Sequence, residues 1–213
     1  ISQLRHGRPL TPTQLAEKMI RLQKAGAHNI NLVTPTHFTP QIMTSLLIAF
    51  RRGLHIPIVY NCGGYESVET LQLLDGIVDI YMPDMKYSDA ENALRYSSAP
   101  GYPQVNRAAV REMHRQTGDL QTDDSGIARQ GLLIRHLVLP EDISGSRETL
   151  SFIAKEISSH TYISFMSQYF PAHEAVDMHP LNRRLSAAEY EDAKNRMEEY
   201  GLNKGWIQSE PLL

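Results

Sequence analysis

Residues 29–40, NINLVTPTHFTP, decide the fold. Asn29 to Val33 predicts a short buried strand, and Thr39-Pro40 predicts a helix start, with threonine as the N-cap and proline at the first helical position. Between them lies a polar loop. In α/β proteins such a junction gathers loop side chains and helix N–H groups where ligands bind, although turn chemistry alone would also explain the loop. The candidate binding residues of this loop are Thr34, Pro35, Thr36 and His37.

Strands and helices alternate on both sides of this junction. Thr11 and Gln14 form a predicted capping box for a helix that ends at Gly26. The alternation is typical of a parallel sheet with crossover helices. Five or six units favour an α/β fold, a partial (β/α)6 TIM-like barrel of parallel strands forming a single domain over residues 1–213; a doubly wound open sheet is the alternative. The further predicted strands are 56–61, 77–82, 132–139 and 161–168, with a short final strand at 206–208.

Local signals add detail to this pattern. Ser67, Ser146 and Ser186 are predicted N-caps of three later helices. Residues 123–126, Asp-Asp-Ser-Gly, are a turn signal and predict a small hairpin-like excursion before the strand at 132–139.

Composition excludes several classes of protein. The net charge of the 213 residues is -3, so no nucleic-acid footprint is expected. No apolar run approaches the roughly 20 residues that span a bilayer, so no membrane partner is expected. A single cysteine rules out an internal disulfide framework and favours a cytoplasmic location. The sequence starts with Ile1 rather than Met, and we expect upstream residues to be missing.

Charged side chains mark the end of the strand at 77–82. Met82, Asp84 and Lys86 alternate, so in an extended chain they point to one face. A carboxylate beside an ammonium at a barrel mouth can hold a zwitterion or a cation. A structural ion pair is the alternative interpretation.

Arg135 lies among apolar residues in the strand LLIRHLVL, residues 132–139. An isolated charge in a buried strand is very costly, so the guanidinium must be paired. It could bind a ligand carboxylate with two hydrogen bonds, or it could pair with Asp84 in the core. His136 faces the opposite way and is predicted to be a hydrogen-bonded packing histidine.

Polar residues end two further strands. Asn61-Cys62-Gly63-Gly64 follows one strand, and its glycines permit close backbone approach to a ligand. Cys62 is interpreted as a small buried side chain. His173 and His179 lack metal-site spacing and are expected in a solvent-exposed loop. A cluster of three polar residues, Ser167, Gln168 and Tyr169, ends the strand at 161–168.

Five stretches in order resemble radical S-adenosylmethionine (SAM) proteins of the pyruvate formate-lyase activating enzyme-like group. The stretches are GAHNINLVTPTHFTPQI, IPIVYNCGGYE, VDIYMPDMKY, LLIRHLVLP and SFMSQY. The resemblance implies a partial (β/α)6 barrel and a [4Fe–4S] cluster held by a CxxxCxxC loop after the first strand. The cluster reductively cleaves SAM and yields a 5′-deoxyadenosyl radical that abstracts hydrogen.

The sequence departs from this family in its cysteines. Cys62 is the only cysteine, whereas the cluster needs three thiolates, so no metal ligands are assigned in this chain. The resemblance then implies either that the first strand and its cluster loop are missing upstream or that the chain is a degenerate member. The catalytic residues stay unassigned.

The resemblance also implies a SAM site. Residues 34–37 take the place of the segment that contacts the SAM amino group, and Asn61 and Cys62 match a polar pair beside SAM. Asp84 and Lys86 match the family's DxK near the SAM carboxylate and ribose, and Arg135 falls where relatives place an arginine near SAM.

The implied partners are a glycyl-radical protein or another substrate, and a reductant such as flavodoxin or ferredoxin. Two other functions remain open. Lys86 could form a Schiff base in a barrel lyase, assisted by Asp84 or Arg135. Alternatively, the chain could be a non-catalytic, degenerate scaffold that binds a partner through the strand edge left at Asn29–Val33, which we expect to be unpaired on one side.

Overall fold

The computed structural model of the protein describes residues 7–209. Strands and helices alternate along these residues, as the sequence predicts. The helices are α1 (Pro12–Lys24), α2 (Thr39–Arg51), α3 (Val68–Gln72), α4 (Ala90–Ser97), α5 (Tyr102–Thr117), α6 (Ser146–Phe152) and α7 (Ala187–Glu199). The strands are β1 (Ile30–Val33), β2 (Ile58–Cys62), β3 (Ile80–Pro83), β4 (Gln121–Thr122), β5 (Ala128–Leu137), β6 (Tyr162–Met166) and β7 (Gly205–Ile207).

The strands form one sheet in the order β1-β2-β3-β5-β6-β7. All neighbours in this path are parallel, and β4 pairs antiparallel with β5, which confirms the predicted excursion before the longest strand. Helices connect the successive parallel strands. The predicted class, an α/β fold with a partial TIM-like barrel, is confirmed, and the carboxyl ends of the parallel strands meet at one edge.

β1 lies at one end of this path and, within residues 7–209, pairs only with β2. Ile30 and Leu32 are buried, whereas Asn31 and Val33 are exposed. Within residues 7–209 the predicted edge strand is therefore confirmed, whereas its predicted burial holds for one face only, because Asn31 and Val33 are exposed.

Most predicted helix caps are confirmed, and two are wrong. Thr11 and Ser186 form complete capping boxes, and Ser67 caps α3. Thr39 is inside α2 rather than its N-cap, because a 3-10 turn at Thr36–Phe38 precedes the helix and the Thr39 hydroxyl donates back to the carbonyl of Thr36.

Ser146 is likewise the first residue of α6, and Gly145, with φ 61°, is the N-cap. The hydroxyl of Ser146 is buried and lies 3.0 Å from Nε2 of His136, so a contact made only in the tertiary structure replaces the cap.

The two largest apolar clusters within residues 7–209 lie against the sheet. The larger lies between the central strands and helices α3, α5, α6 and α7, and includes an edge-to-face contact between Tyr60 and Tyr81. The smaller joins α1 and α2 to β1 through residues such as Met19 and Leu46. Within residues 7–209 no helix is long and apolar enough to cross a membrane.

Candidate functional site

Asp84 follows β3 at the carboxyl edge of the sheet and contacts two cations. Oδ2 of Asp84 lies 3.2 Å from Nζ of Lys86, and Oδ1 lies 3.5 Å from Nη1 of Arg135. The prediction that alternation places Asp84 and Lys86 on one face is confirmed. The predicted alternative, an ion pair between Arg135 and Asp84, is also present.

Asn61, at the end of β2, completes this group. Its Oδ1 accepts a hydrogen bond of 3.2 Å from Nη1 of Arg135. Nη2 of Arg135 lies 3.7 Å from Sδ of Met166, so this nitrogen faces a weak acceptor. We call Asn61, Asp84, Lys86 and Arg135 the strand-end cluster. Its members come from the ends of three strands, and its outermost members, Asn61 and Arg135, are 74 residues apart in sequence.

One oxygen of the strand-end cluster is buried without a hydrogen bond. Oδ1 of Asp84 lies within ion-pair distance of Arg135, but the contact lacks hydrogen-bond geometry. Buried carboxylate oxygens normally accept hydrogen bonds, and an unpaired one costs free energy. The position therefore suits an additional donor, such as a ligand ammonium.

Lys86 is poorly placed for Schiff-base chemistry. Its side chain is 45% exposed and paired with Asp84, whereas activated lysines of this kind are desolvated in apolar pockets or lie next to other cations. No observation at this position favours the lyase alternative.

Cys62 is buried at the end of β2, with 3% of its surface exposed. Burial, followed by the charge of Glu66, raises the pKa of the thiol. The interpretation of Cys62 as a small buried side chain is confirmed. Whether this residue contacts SAM stays a prediction.

The loop of residues 34–37 lies beside the strand-end cluster. The backbone N–H of Thr34 donates to the carbonyl of Asn61 at 2.8 Å, and Thr34 adopts φ 52°. Pro35 is buried, His37 is exposed, and the hydroxyl of Thr36 donates to Glu66 at 2.6 Å. The loop is thus bound to the end of β2 through Thr34 and to the following loop through Thr36, as expected for residues at neighbouring strand ends.

Sequence reasoning missed Glu66, which is only 3% exposed. Burial raises the pKa of its carboxyl group, and hydrogen bonds from Thr36 and Tyr60 partly oppose this shift. The stretch GGYESVET carries a second glutamate, Glu69, which is exposed. Nothing in the local sequence distinguishes Glu66 from Glu69. Glu66 is buried because of the path that the loop takes after β2.

Two residues of α5 that sequence reasoning also missed hold the strand-end loops together. The amide of Asn106 donates to the carbonyls of Gly64 and Asp84, each at 3.0 Å. The hydroxyl of Tyr102 accepts from the N–H of Lys86 at 3.1 Å. A Cβ on Gly64 would lie 2.3 Å from the Asp84 carbonyl oxygen. This glycine therefore permits close approach to the protein's own backbone.

The histidines have structural or surface positions. His136 is fully buried between the carbonyl of Met85 at 2.8 Å and the hydroxyl of Ser146, and burial lowers its pKa. Its predicted packing position is confirmed. His173 and His179 are exposed, as expected.

The described residues do not fit an iron–sulfur cluster. Within residues 7–209 no group of three histidine, cysteine, aspartate or glutamate side chains could hold a metal ion. The one thiol, of Cys62, is buried, whereas the implied cluster needs three thiolates.

Comparison with known proteins gives a curated relative of unknown function. No family model matches the sequence. An uncharacterized protein of Methanocaldococcus jannaschii is 29% identical over 199 residues, which cover 93% of this chain and 54% of the relative. The chain thus spans about half the length of this curated relative.

Two solved structures are similar to the chain. A domain of pyruvate-formate lyase-activating enzyme from Bacteroides vulgatus gives a TM-score of 0.56 at 15% identity, covering 85% of this chain and 98% of that domain. Archaeal TYW1 gives 0.50 at 11% identity, covering 97% of this chain and 70% of that protein. At these identities the similarity shows a shared fold, and it is the fold that the resemblance of the motifs implies.

Proposed function

We propose that this chain is the SAM-binding part of a radical SAM enzyme resembling pyruvate formate-lyase activating enzymes. The observation that carries the proposal is the carboxylate of Asp84, which lies between Lys86 and Arg135 and keeps one buried oxygen without a donor. The methionine end of SAM carries an ammonium and a carboxylate. The strand-end cluster has a carboxylate that can bind the ammonium and two cations that can bind the carboxylate.

Asp84 would accept hydrogen bonds from the SAM ammonium, which would satisfy its unpaired oxygen. Arg135 and Lys86 would bind the SAM carboxylate, and the guanidinium can do so with two parallel hydrogen bonds. Asn61 would keep Arg135 oriented through its existing hydrogen bond. Bound SAM would supply the 5′-deoxyadenosyl group of the reaction.

The described residues do not fit a [4Fe–4S] cluster, so no residue of this chain is assigned to it. In this proposal its three thiolates come from outside the 213 residues, and no step is assigned to it. A glycyl-radical protein as substrate, flavodoxin or ferredoxin as reductant, and a cytoplasmic location are parts of the same proposal.

Calorimetric titration of the chain with SAM tests the proposal. We expect saturable binding, weakened at least tenfold by Arg135→Met, which corresponds to about 1.4 kcal/mol of binding free energy. Arg51→Met is the matched control, because Arg51 is exposed at the end of α2, away from the strand-end cluster.

Ligand analogues make the test sharper. Decarboxylated SAM lacks the group assigned to Arg135 and Lys86, so we expect it to bind far more weakly than SAM. Absence of saturable SAM binding, or equal affinity for both compounds, would contradict the proposal.

A further inference from the structure

Glu66 is a buried acid that joins two segments distant in sequence. It lies in the loop between β2 and α3, and its Oε1 accepts from the hydroxyl of Thr36 at 2.6 Å. Its Oε2 accepts from the hydroxyl of Tyr60 at 3.2 Å. None of the ion pairs within residues 7–209 includes Glu66. It is instead held by these two hydroxyl groups and by the Cys62 thiol, and the nearby His37 interacts with its charge.

The loop that Glu66 holds has an unfavourable backbone conformation. Thr34 has φ 52°, in the left-handed region that β-branched residues rarely adopt. Such a conformation persists when surrounding contacts determine it. Two contacts hold the loop from the β2 side, namely the Thr34 N–H to the Asn61 carbonyl and the Thr36 hydroxyl to Glu66.

The same loop adjoins the strand-end cluster. Asn61, whose carbonyl binds Thr34, also accepts through its side chain from Arg135. A shift of the loop would therefore change the surroundings of Asn61 and its arginine partner.

We infer that Glu66 is a positioning residue, which holds the loop of residues 34–37 against the end of β2 and so sets how that loop meets a ligand in the strand-end cluster. The ligand part of this inference rests on the proposed SAM binding, whereas the loop part does not. Glu66 acts through Thr36 and Tyr60 and lies beneath the loop rather than in it.

Hydrogen–deuterium exchange on the free chain tests the loop part. Glu66→Leu replaces the carboxyl group with an apolar side chain of similar size and so removes both acceptor oxygens. We expect the amides of Thr34 and of residues 36–38 to exchange at least tenfold faster, with an intermediate rate in Glu66→Gln, which keeps one acceptor. Glu69→Leu is the matched control, because Glu69 is exposed on α3 three residues away.

The readout separates positioning from general stability. Far-UV circular dichroism and amide exchange in β5 should match the original chain, since a loss of overall stability would raise exchange throughout. If Glu66→Leu does not fold, Thr36→Val removes the same contact from the loop side and leaves the contact with Tyr60. Unchanged exchange at residues 34–38 in the folded variants would overturn the inference.

SAM titration of the same variants tests the ligand part. We expect at least fivefold weaker SAM binding in Glu66→Leu and in Thr36→Val. The effects should not add in the double variant, because each change removes the same hydrogen bond between Thr36 and Glu66. Equal SAM affinity in variants with a loosened loop would overturn the positioning function and leave the proposed function standing. If the original chain binds no SAM, the proposed function fails, and the exchange result alone decides whether Glu66 holds the loop.

Discussion

Asp84 and Arg135 are joined through both backbone and side chains. They form a parallel bridge between the segment after β3 and strand β5, and the Met85 N–H donates to the Arg135 carbonyl at 2.9 Å. Their charged groups lie 3.5 Å apart at the carboxyl edge of the sheet. The bridge therefore holds together the backbones from which the two charged side chains extend.

Asp84→Asn should weaken SAM binding at least tenfold, because the amide cannot offer a negative charge to the ammonium. We also expect a loss of about 1–3 kcal/mol in unfolding free energy, since two cations lose their shared partner at a site still 17% exposed. Calorimetry and urea unfolding measure the two effects. The control is Asp124→Asn, at an exposed turn; equal SAM affinity in Asp84→Asn and the control would refute the assignment.

Asn106→Ala should lower the free energy of unfolding by about 2 kcal/mol. The buried Gly64 carbonyl would lose its side-chain hydrogen-bond donor, and the Asp84 carbonyl would lose one of its two side-chain donors. For a chain of this size the thermal midpoint should fall by about 4–8 °C. Scanning calorimetry measures this, with exposed Asn203→Ala as the control. A fall no larger than that of the control would mean that the α5 contacts contribute little.

His136 should make stability depend on pH. Burial lowers its folded pKa below 6.5, so the unfolded chain binds more protons as the pH falls below that value. Its contribution is present above pH 6.5 and is lost as the pH falls towards the folded pKa, with a slope of up to about 1.4 kcal/mol per pH unit.

Urea unfolding of the original chain and His136→Gln between pH 5 and 8 measures this effect. The raised pKa of Glu66 acts in the opposite sense, since its contribution is lost as the pH rises through its folded pKa. Glu66 is present in both proteins, so the difference between their slopes isolates His136. Parallel pH profiles would contradict the prediction.

Cys62 should resist thiol reagents in the folded chain. Burial limits access and raises the thiol pKa, so less of the reactive thiolate is present. We expect reaction with Ellman's reagent on the order of 100-fold slower than in guanidinium chloride, where one thiol per chain should react. Rapid reaction under native conditions would show that β2 opens at its end.

The free edge of β1 should promote self-association. Val33 is 68% exposed, and neither lysine nor proline blocks pairing along Ile30–Val33. We expect the oligomer fraction to rise with concentration, and Val33→Lys to suppress this rise. Light scattering after size exclusion measures both, with Leu73→Lys, at a similarly exposed position just after α3, as the control. If the chain is a monomer at all concentrations, the edge of β1 does not drive self-association.

The sequence by itself determined the order of elements and the edge where charged groups meet. Alternating apolar strands and capped helices are local signals, and the parallel sheet follows from them. Asp84, Lys86 and Arg135 could be named from the sequence because polar residues at strand ends converge in any parallel sheet.

Only the tertiary structure decided which polar side chains are buried. Glu66 and Asn106 have polar side chains that are usually exposed, and a distant loop or helix is what encloses each of them. Ser146 has the composition of an N-cap, but its hydroxyl group binds His136 of strand β5 instead of the first turn of α6. Burial and hydrogen-bond partners across 30 or more residues depend on packing, which no local sequence pattern encodes.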